Sequence, residues 1–90
     1  MSKLFGAGAG QVVSPDDLSL QNMIITAAAG AATATVKDKD GIAQVVIAAQ
    51  AGTSFEYTAS NGGNLTSLTR IVGPVTIDVA GSGAFVRLSY

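Results

Sequence analysis

From residue 22 onward, short apolar or alternating segments are separated by turn-forming residues, and this regular division limits the possible folds more than any other feature. In residues 32–37 the alternation is strict, so the alanines and Val36 share one side of an extended strand. The clearest turn signals are Asp40-Gly41 and the polar run at 60–64. Seven strands are predicted in this way, at residues 22–27, 32–37, 42–49, 53–59, 65–72, 75–80 and 84–90. The pattern predicts an all-β fold, either a small antiparallel β-sandwich or a jelly-roll-like domain of about seven strands.

Residues 1–20 lack this pattern and are predicted to form an extended N-terminal arm, followed by a single β domain over residues 21–90. The run GAGAG at 6–10 has neither the G-x-G-x-x-G spacing of a dinucleotide-binding turn nor the lysine of a phosphate-binding loop. We interpret it as a pliable spacer behind Leu4 and Phe5. These two apolar side chains are expected to dock on a neighbouring subunit or, with equal weight, on their own domain.

The chain is short and its apolar residues are small, which predicts that it depends on neighbouring subunits. Of its 90 residues, fifteen are alanine and none is Trp, so the core buries little apolar area per residue. Because the chain has no Cys, disulfides cannot add stability either. We expect self-association. Phe55 and Tyr57 share one face of a predicted strand and are expected to pack in the core.

Charge and hydropathy narrow the range of partners. The formal net charge is −1, which gives no electrostatic reason to expect nucleic acid or an anionic membrane as a partner. No segment approaches the roughly 20 apolar residues that a membrane-spanning helix needs. We therefore predict neither nucleic acid nor a membrane as a partner.

Few side chains of the kind that enzymes use are present, and we predict neither catalysis nor a cofactor. The chain has no His and no Cys, which excludes Ser–His and Cys–His nucleophiles. The carboxylates are interpreted as surface acids, and Asp78 is expected to pair with Arg70 or Arg87 across neighbouring strands. The segment Asp38-Lys39-Asp40-Gly41 begins like a calcium loop, but no acid follows at the distance that would close a site. Lysines also flank it, so no metal site is predicted.

Two stretches, DGIAQVVIAAQAGTSFEY (40–57) and GPVTIDVAGSGAFVRLSY (73–90), carry a resemblance to known proteins. In this cysteine-free chain, rich in Ala, Gly and Thr, they resemble the small capsid decoration, or cement, proteins and head-fibre anchors of tailed bacteriophages. The resemblance implies a structural virion protein with no catalytic residues. Such a protein is made in the host cytoplasm, sits on the capsid surface as dimers or trimers, and holds neighbouring major capsid subunits together.

Two other functions remain open at this point. One is a structural protein of the tail or of a head fibre. The other is a β-sandwich binding module that recognises a carbohydrate or a protein through loops at one end. In the structural virion role, the contacts are expected to come from the arm at 1–13 and from the exposed turns at 37–41 and 60–64. The predicted partner-binding residues are Leu4, Phe5, Val12, Val13, Asp38, Lys39, Asn61 and Asn64.

Overall fold

The computed structural model describes residues 2–58 and 69–90, and in these ranges the chain is all-β with antiparallel sheets and no helix. Accordingly, this part of the chain holds no helix long and apolar enough to cross a membrane. Ten strands are described: β1 (Ser2–Gly6), β2 (Gly8–Ser14), β3 (Leu18–Leu20), β4 (Asn22–Thr26), β5 (Ala32–Lys37), β6 (Ala43–Ala49), β7 (Ser54–Thr58), β8 (Thr69–Ile71), β9 (Val75–Ala80) and β10 (Phe85–Ser89).

The all-β prediction is confirmed, but the number of strands differs from the expected seven. The seven predicted segments correspond to β4 through β10, and three further strands lie in residues 2–20, where an extended arm was expected. β1 pairs with β10 and β2 pairs with β9, so the N-terminal residues belong to both larger sheets. Residues 15–17 connect β2 to β3.

The strands form two four-stranded sheets and one small sheet. The first sheet has the order β1-β10-β4-β7, the second has the order β2-β9-β5-β6, and the third consists of β3 and β8. Alternate side chains of both larger sheets point into one apolar core, as the period of two along a strand requires. Its fully buried members include Met23, Ile25, Val36, Ile77, Val86 and Leu88.

The glycine-rich run at 6–10 forms the corner at which the chain passes from the first sheet to the second. Gly6 ends β1, Ala7 forms the bend, and Gly8 begins β2. Gly10 has a φ of +67°, in the left-handed region that favours glycine, and it lies where the register of β2 against β9 shifts. Its N–H donates to the Asp78 Oδ1 at 2.7 Å. The pliable spacer of the sequence interpretation is thus a strand corner and a bulge, both tied to a neighbouring strand.

The segment between β2 and β3 is held against the segment between β8 and β9. Asp17 accepts a hydrogen bond from the Gly73 N–H at 2.9 Å and forms an ion pair with Arg70, whose Nη2 lies 3.1 Å from Oδ2. Gly73 packs so closely that a Cβ placed on it would overlap the Asp16 carbonyl. This contact fixes the small third sheet, whose Leu18, Leu20 and Ile71 complete the core.

Phe55 does not occupy the core position predicted for it. Tyr57 is half-buried and packs against the core, whereas Phe55 is 47% exposed. Both residues lie on β7, opposite the buried Met23 and Ile25 of β4, and so face inward. β7 is the last strand of its sheet, and an inward side chain at the margin of a sheet keeps one side open to water.

Candidate interaction surfaces

The outward side of the first sheet carries an exposed apolar surface with one cation in it. Leu4, Arg87, Ile24 and Glu56 lie side by side in one row across β1, β10, β4 and β7. Phe85 lies two residues from Arg87 on β10, on the same side. We call the outward side formed by these five residues the front face. They face outward because their neighbours along each strand, such as Met23, Ile25, Val86 and Leu88, point into the core.

The apolar side chains of the front face are more exposed to water than is usual for apolar residues. Leu4 is 60% exposed and Phe85 is 44% exposed, while Ile24 is half-buried. Arg87 is exposed and forms no ion pair with any described residue. Glu56 accepts a hydrogen bond from the Asn22 Nδ2 at 2.8 Å. The front face therefore offers apolar contact area around a guanidinium that is free to pair with a carboxylate of another molecule.

The outward side of the second sheet is different because its charges are paired within the chain. The Lys37 Nζ lies 2.6 Å from the Asp78 Oδ2, and the other carboxylate oxygen accepts the Gly10 N–H. The pKa of Asp78 lies below its ordinary value. The hydrogen bond from Lys37 lowers it most, and the hydrogen bond from the Gly10 N–H lowers it further. The partner predicted for Asp78, Arg70 or Arg87, is therefore wrong. Because β9 lies between β2 and β5, the cation beside Asp78 is Lys37 of β5.

Asp17 is the second carboxylate with a shifted pKa. The hydrogen bond from the Gly73 N–H lowers the pKa of Asp17 most. Desolvation opposes this effect, and the Arg70 guanidinium and the charge of Lys39 lower the pKa further. The pair is well exposed, which limits its contribution to stability. Asp17 therefore acts as a structural link between two connecting segments.

The turn at residues 38–41 uses its own carboxylate to hold itself together. The Asp38 Oδ1 accepts the N–H groups of Asp40 and Ile42 at 2.9 and 3.1 Å, and its Oδ2 accepts the Gln44 amide at 2.8 Å. Gly41 has a φ of +76°, as this turn requires. The Lys39 N–H donates to the Val72 carbonyl at 3.0 Å. Within the described ranges, no three His, Cys, Asp or Glu side chains are grouped as a metal site would need.

The predicted partner-binding residues do not form one surface. Leu4 lies on the front face, Val12 is 58% exposed on the opposite side of the molecule, and Asp38 and Lys39 lie at a hairpin tip. Phe5 packs against the core of its own chain, which is one of the two dockings considered for it.

Val13 is fully buried, so its side chain is not accessible to a partner. Its carbonyl accepts hydrogen bonds from the Lys3 Nζ and the Tyr90 hydroxyl. Asn61 and Asn64 lie outside the described residues.

Ile24, Phe85 and Arg87 of the front face were missed as partner-binding candidates. A signal was present for two of them, because in the last strand Phe85 and Arg87 alternate with Val86 and Leu88. That alternation shows that one set faces outward. It does not show that β1 lies beside β10 and brings Leu4 next to Arg87.

Comparison of the chain with protein-family models, with curated proteins and with solved structures gives no match.

Proposed function

We propose that the chain is a structural virion protein of the capsid decoration type, which associates with itself and attaches to the major capsid protein lattice through its front face. The observation that carries the proposal is the front face itself. Leu4, Ile24 and Phe85 lie close together around Arg87 on this face, and exposed apolar side chains grouped in this way mark a protein–protein contact site. The Arg87 guanidinium inside this surface selects a partner that presents a carboxylate among apolar side chains.

The order of the strands supports the same class of protein. Without β3 and β8, the eight strands of the larger sheets, numbered along the chain, read 1-8-3-6 in the first sheet and 2-7-4-5 in the second. We assign this order to a jelly roll, in which two four-stranded Greek keys form a sandwich. Jelly rolls are common in viral capsids and also occur in lectins. Because one fold serves many functions, this argument adds to the front face and does not replace it.

The test is attachment of the purified chain to capsid shells of the phage whose genome encodes it, measured by co-sedimentation. Phe85→Lys and Leu4→Lys should each weaken attachment at least about tenfold, because they place a charge where apolar area must be buried. Thr33→Lys is the matched control: Thr33 is exposed on the outward side of the second sheet, and this variant should bind like the unmodified chain.

Two results would contradict the proposal. One is the absence of the chain from purified virions by mass spectrometry. The other is equal attachment of Phe85→Lys and the Thr33→Lys control. Gold labelling of the chain in electron micrographs separates the alternatives: label on the tail or on fibres would move the protein from the capsid to those structures.

A carbohydrate-binding module is the second candidate, and one observation favours it. Phe85 presents its ring on the front face, and an exposed aromatic ring is a surface on which a sugar can stack. Phe85→Leu keeps the apolar area and removes the ring. A loss of glycan-array binding in this variant, with attachment to capsid shells unchanged, would establish the carbohydrate function.

A further inference from the structure

The two larger sheets end in four edge strands, and three of these carry features that discourage pairing with another chain. β1 carries Lys3, and β7 carries Glu56 at its centre. β2 has two shifts of register against β9 and contains Gly8 and Gly10. Charges, bulges and short length are the usual means by which proteins protect the open backbone of a sheet edge.

β6 is the fourth edge strand, and it carries no charge. Its single register shift against β5 lies near its start, and residues 45–49 pair with β5 without interruption. It is seven residues long, and no charged residue occurs anywhere from 41 to 55. Its outward Val46 is 62% exposed, and the neighbouring Ile42 is also exposed. Its only partner strand in the described part of the chain is β5, so the N–H and C=O groups on its other side face outward.

We propose that β6 pairs with β6 of a second copy of this chain, antiparallel and centred on Val46, so that two four-stranded sheets join into one of eight strands. This inference rests on the self-association included in the proposed function, and it names the surface that the two copies share. Val46 marks the centre because, of the outward residues within the regular part at 45–49, it has the larger apolar side chain and is 62% exposed. Pairing there covers it with its own counterpart.

The side chains of β6 fit this arrangement. In a two-fold pairing, each residue meets its counterpart by symmetry. Val46 lies opposite Val46 of the partner subunit, and on the inward side Val45 lies opposite Ile47 of the partner subunit. No charge faces a like charge. The same pairing about the middle of β7 would place Glu56 opposite Glu56 of the partner subunit, which is destabilising.

A single cysteine tests the register, since the chain has no cysteine of its own. Residues directly opposite in an antiparallel pair have Cα atoms about 4.5–5.5 Å apart, within the roughly 4.4–6.8 Å range of disulfides. Val46→Cys should therefore form a covalent dimer under mild oxidation, seen on a non-reducing gel. Thr33→Cys is the control: Thr33 is exposed on the same outward side but lies on the central strand β5, so this variant should remain uncrosslinked.

A charge at the same position tests the interaction itself. Val46→Lys places two cations face to face, and it should raise the dissociation constant of the dimer roughly tenfold or more, as measured by analytical ultracentrifugation. Thr33→Lys should leave the constant unchanged. Monomeric behaviour of the unmodified chain at all concentrations would overturn the inference, as would Val46→Lys associating like the control.

These measurements use the purified chain alone. Failure of β6 pairing is thereby distinguished from failure of the proposed function, which is decided by attachment to capsid shells. A monomeric chain that still binds shells through the front face would overturn the pairing and leave the attachment in place.

Discussion

At the scale of single residues, Asp78 connects strands that are distant in sequence. Its two carboxylate oxygens contact Lys37 of β5 and the backbone of Gly10 in β2, on either side of its own strand β9. The sequence alone could not identify these partners, because several cations lie in other strands and only the order of the strands decides which is adjacent. The general expectation of a cross-strand ion pair was correct, but the particular cation was not.

Asp78→Asn should lower the free energy of unfolding at neutral pH, because the amide cannot form the ion pair with Lys37. The difference between the two proteins should depend on pH. The pKa of Asp78 is lowered by folding from 3.8, so its contribution is fully present above that value and is lost as the pH falls through the lower, folded pKa. Urea unfolding of both proteins between neutral and strongly acidic pH measures this difference.

Asp40→Asn is the control for this experiment. In the described part of the chain the Asp40 carboxylate forms no hydrogen bond or ion pair, so the variant should unfold like the unmodified chain at neutral pH. An Asp78→Asn protein as stable as this control at neutral pH would show that the contacts of Asp78 do not contribute to stability.

At the scale of elements, β4 through β10 were predictable and β1 through β3 were not. Alternation and turn residues mark the later strands clearly, as in ATATVK at 32–37. Residues 6–10 contain only Gly and Ala and have no apolar alternation, so nothing local indicates a strand. β1 forms because it pairs with β10, with Ser2 opposite Ser89. The residues of this pair are far apart in the sequence, so the local sequence of β1 does not indicate a strand.

The contact between the connecting segments provides a prediction at this scale. Gly73→Ala should destabilise the protein by about 1–3 kcal/mol or more, because the added methyl group overlaps the backbone of Asp16. Gly30→Ala is the matched control: its Cβ meets nothing within 4 Å and its φ is not in the left-handed region. Thermal unfolding of both variants measures the effect, and equal melting temperatures would contradict the close packing at Gly73.

At the scale of the whole molecule, the front face and β6 each carry exposed apolar side chains, further ones lie at Val12, Phe55 and Val72, and the buried core is built largely of Ala, Val and Ile. Composition indicated such a core and a dependence on neighbours, since small side chains bury little area. It could not indicate where the neighbours would bind. That requires knowing which strands end each sheet, and strand order is a property of the complete fold.

Self-association through β6 should make stability depend on protein concentration. A partner that binds only the folded state raises the free energy of unfolding, by about 2.7 kcal/mol at one hundred times the dissociation constant. The melting temperature of the unmodified chain should therefore rise with concentration, whereas that of Val46→Lys should stay nearly constant. Scanning calorimetry over a dilution series tests this, and parallel curves for the two proteins would contradict it.

The pairing of β1 with β10 brings the two ends of the described chain to one place, with Ser2 beside Ser89. A short linker from residue 90 to residue 2 would therefore close the chain into a ring without disturbing either sheet. New ends opened at residues 28–31, which are all exposed, would give a circular permutant with the same strand order. In that permutant, a label or a second domain fused to the new ends would emerge from the link between β4 and β5, away from the original termini.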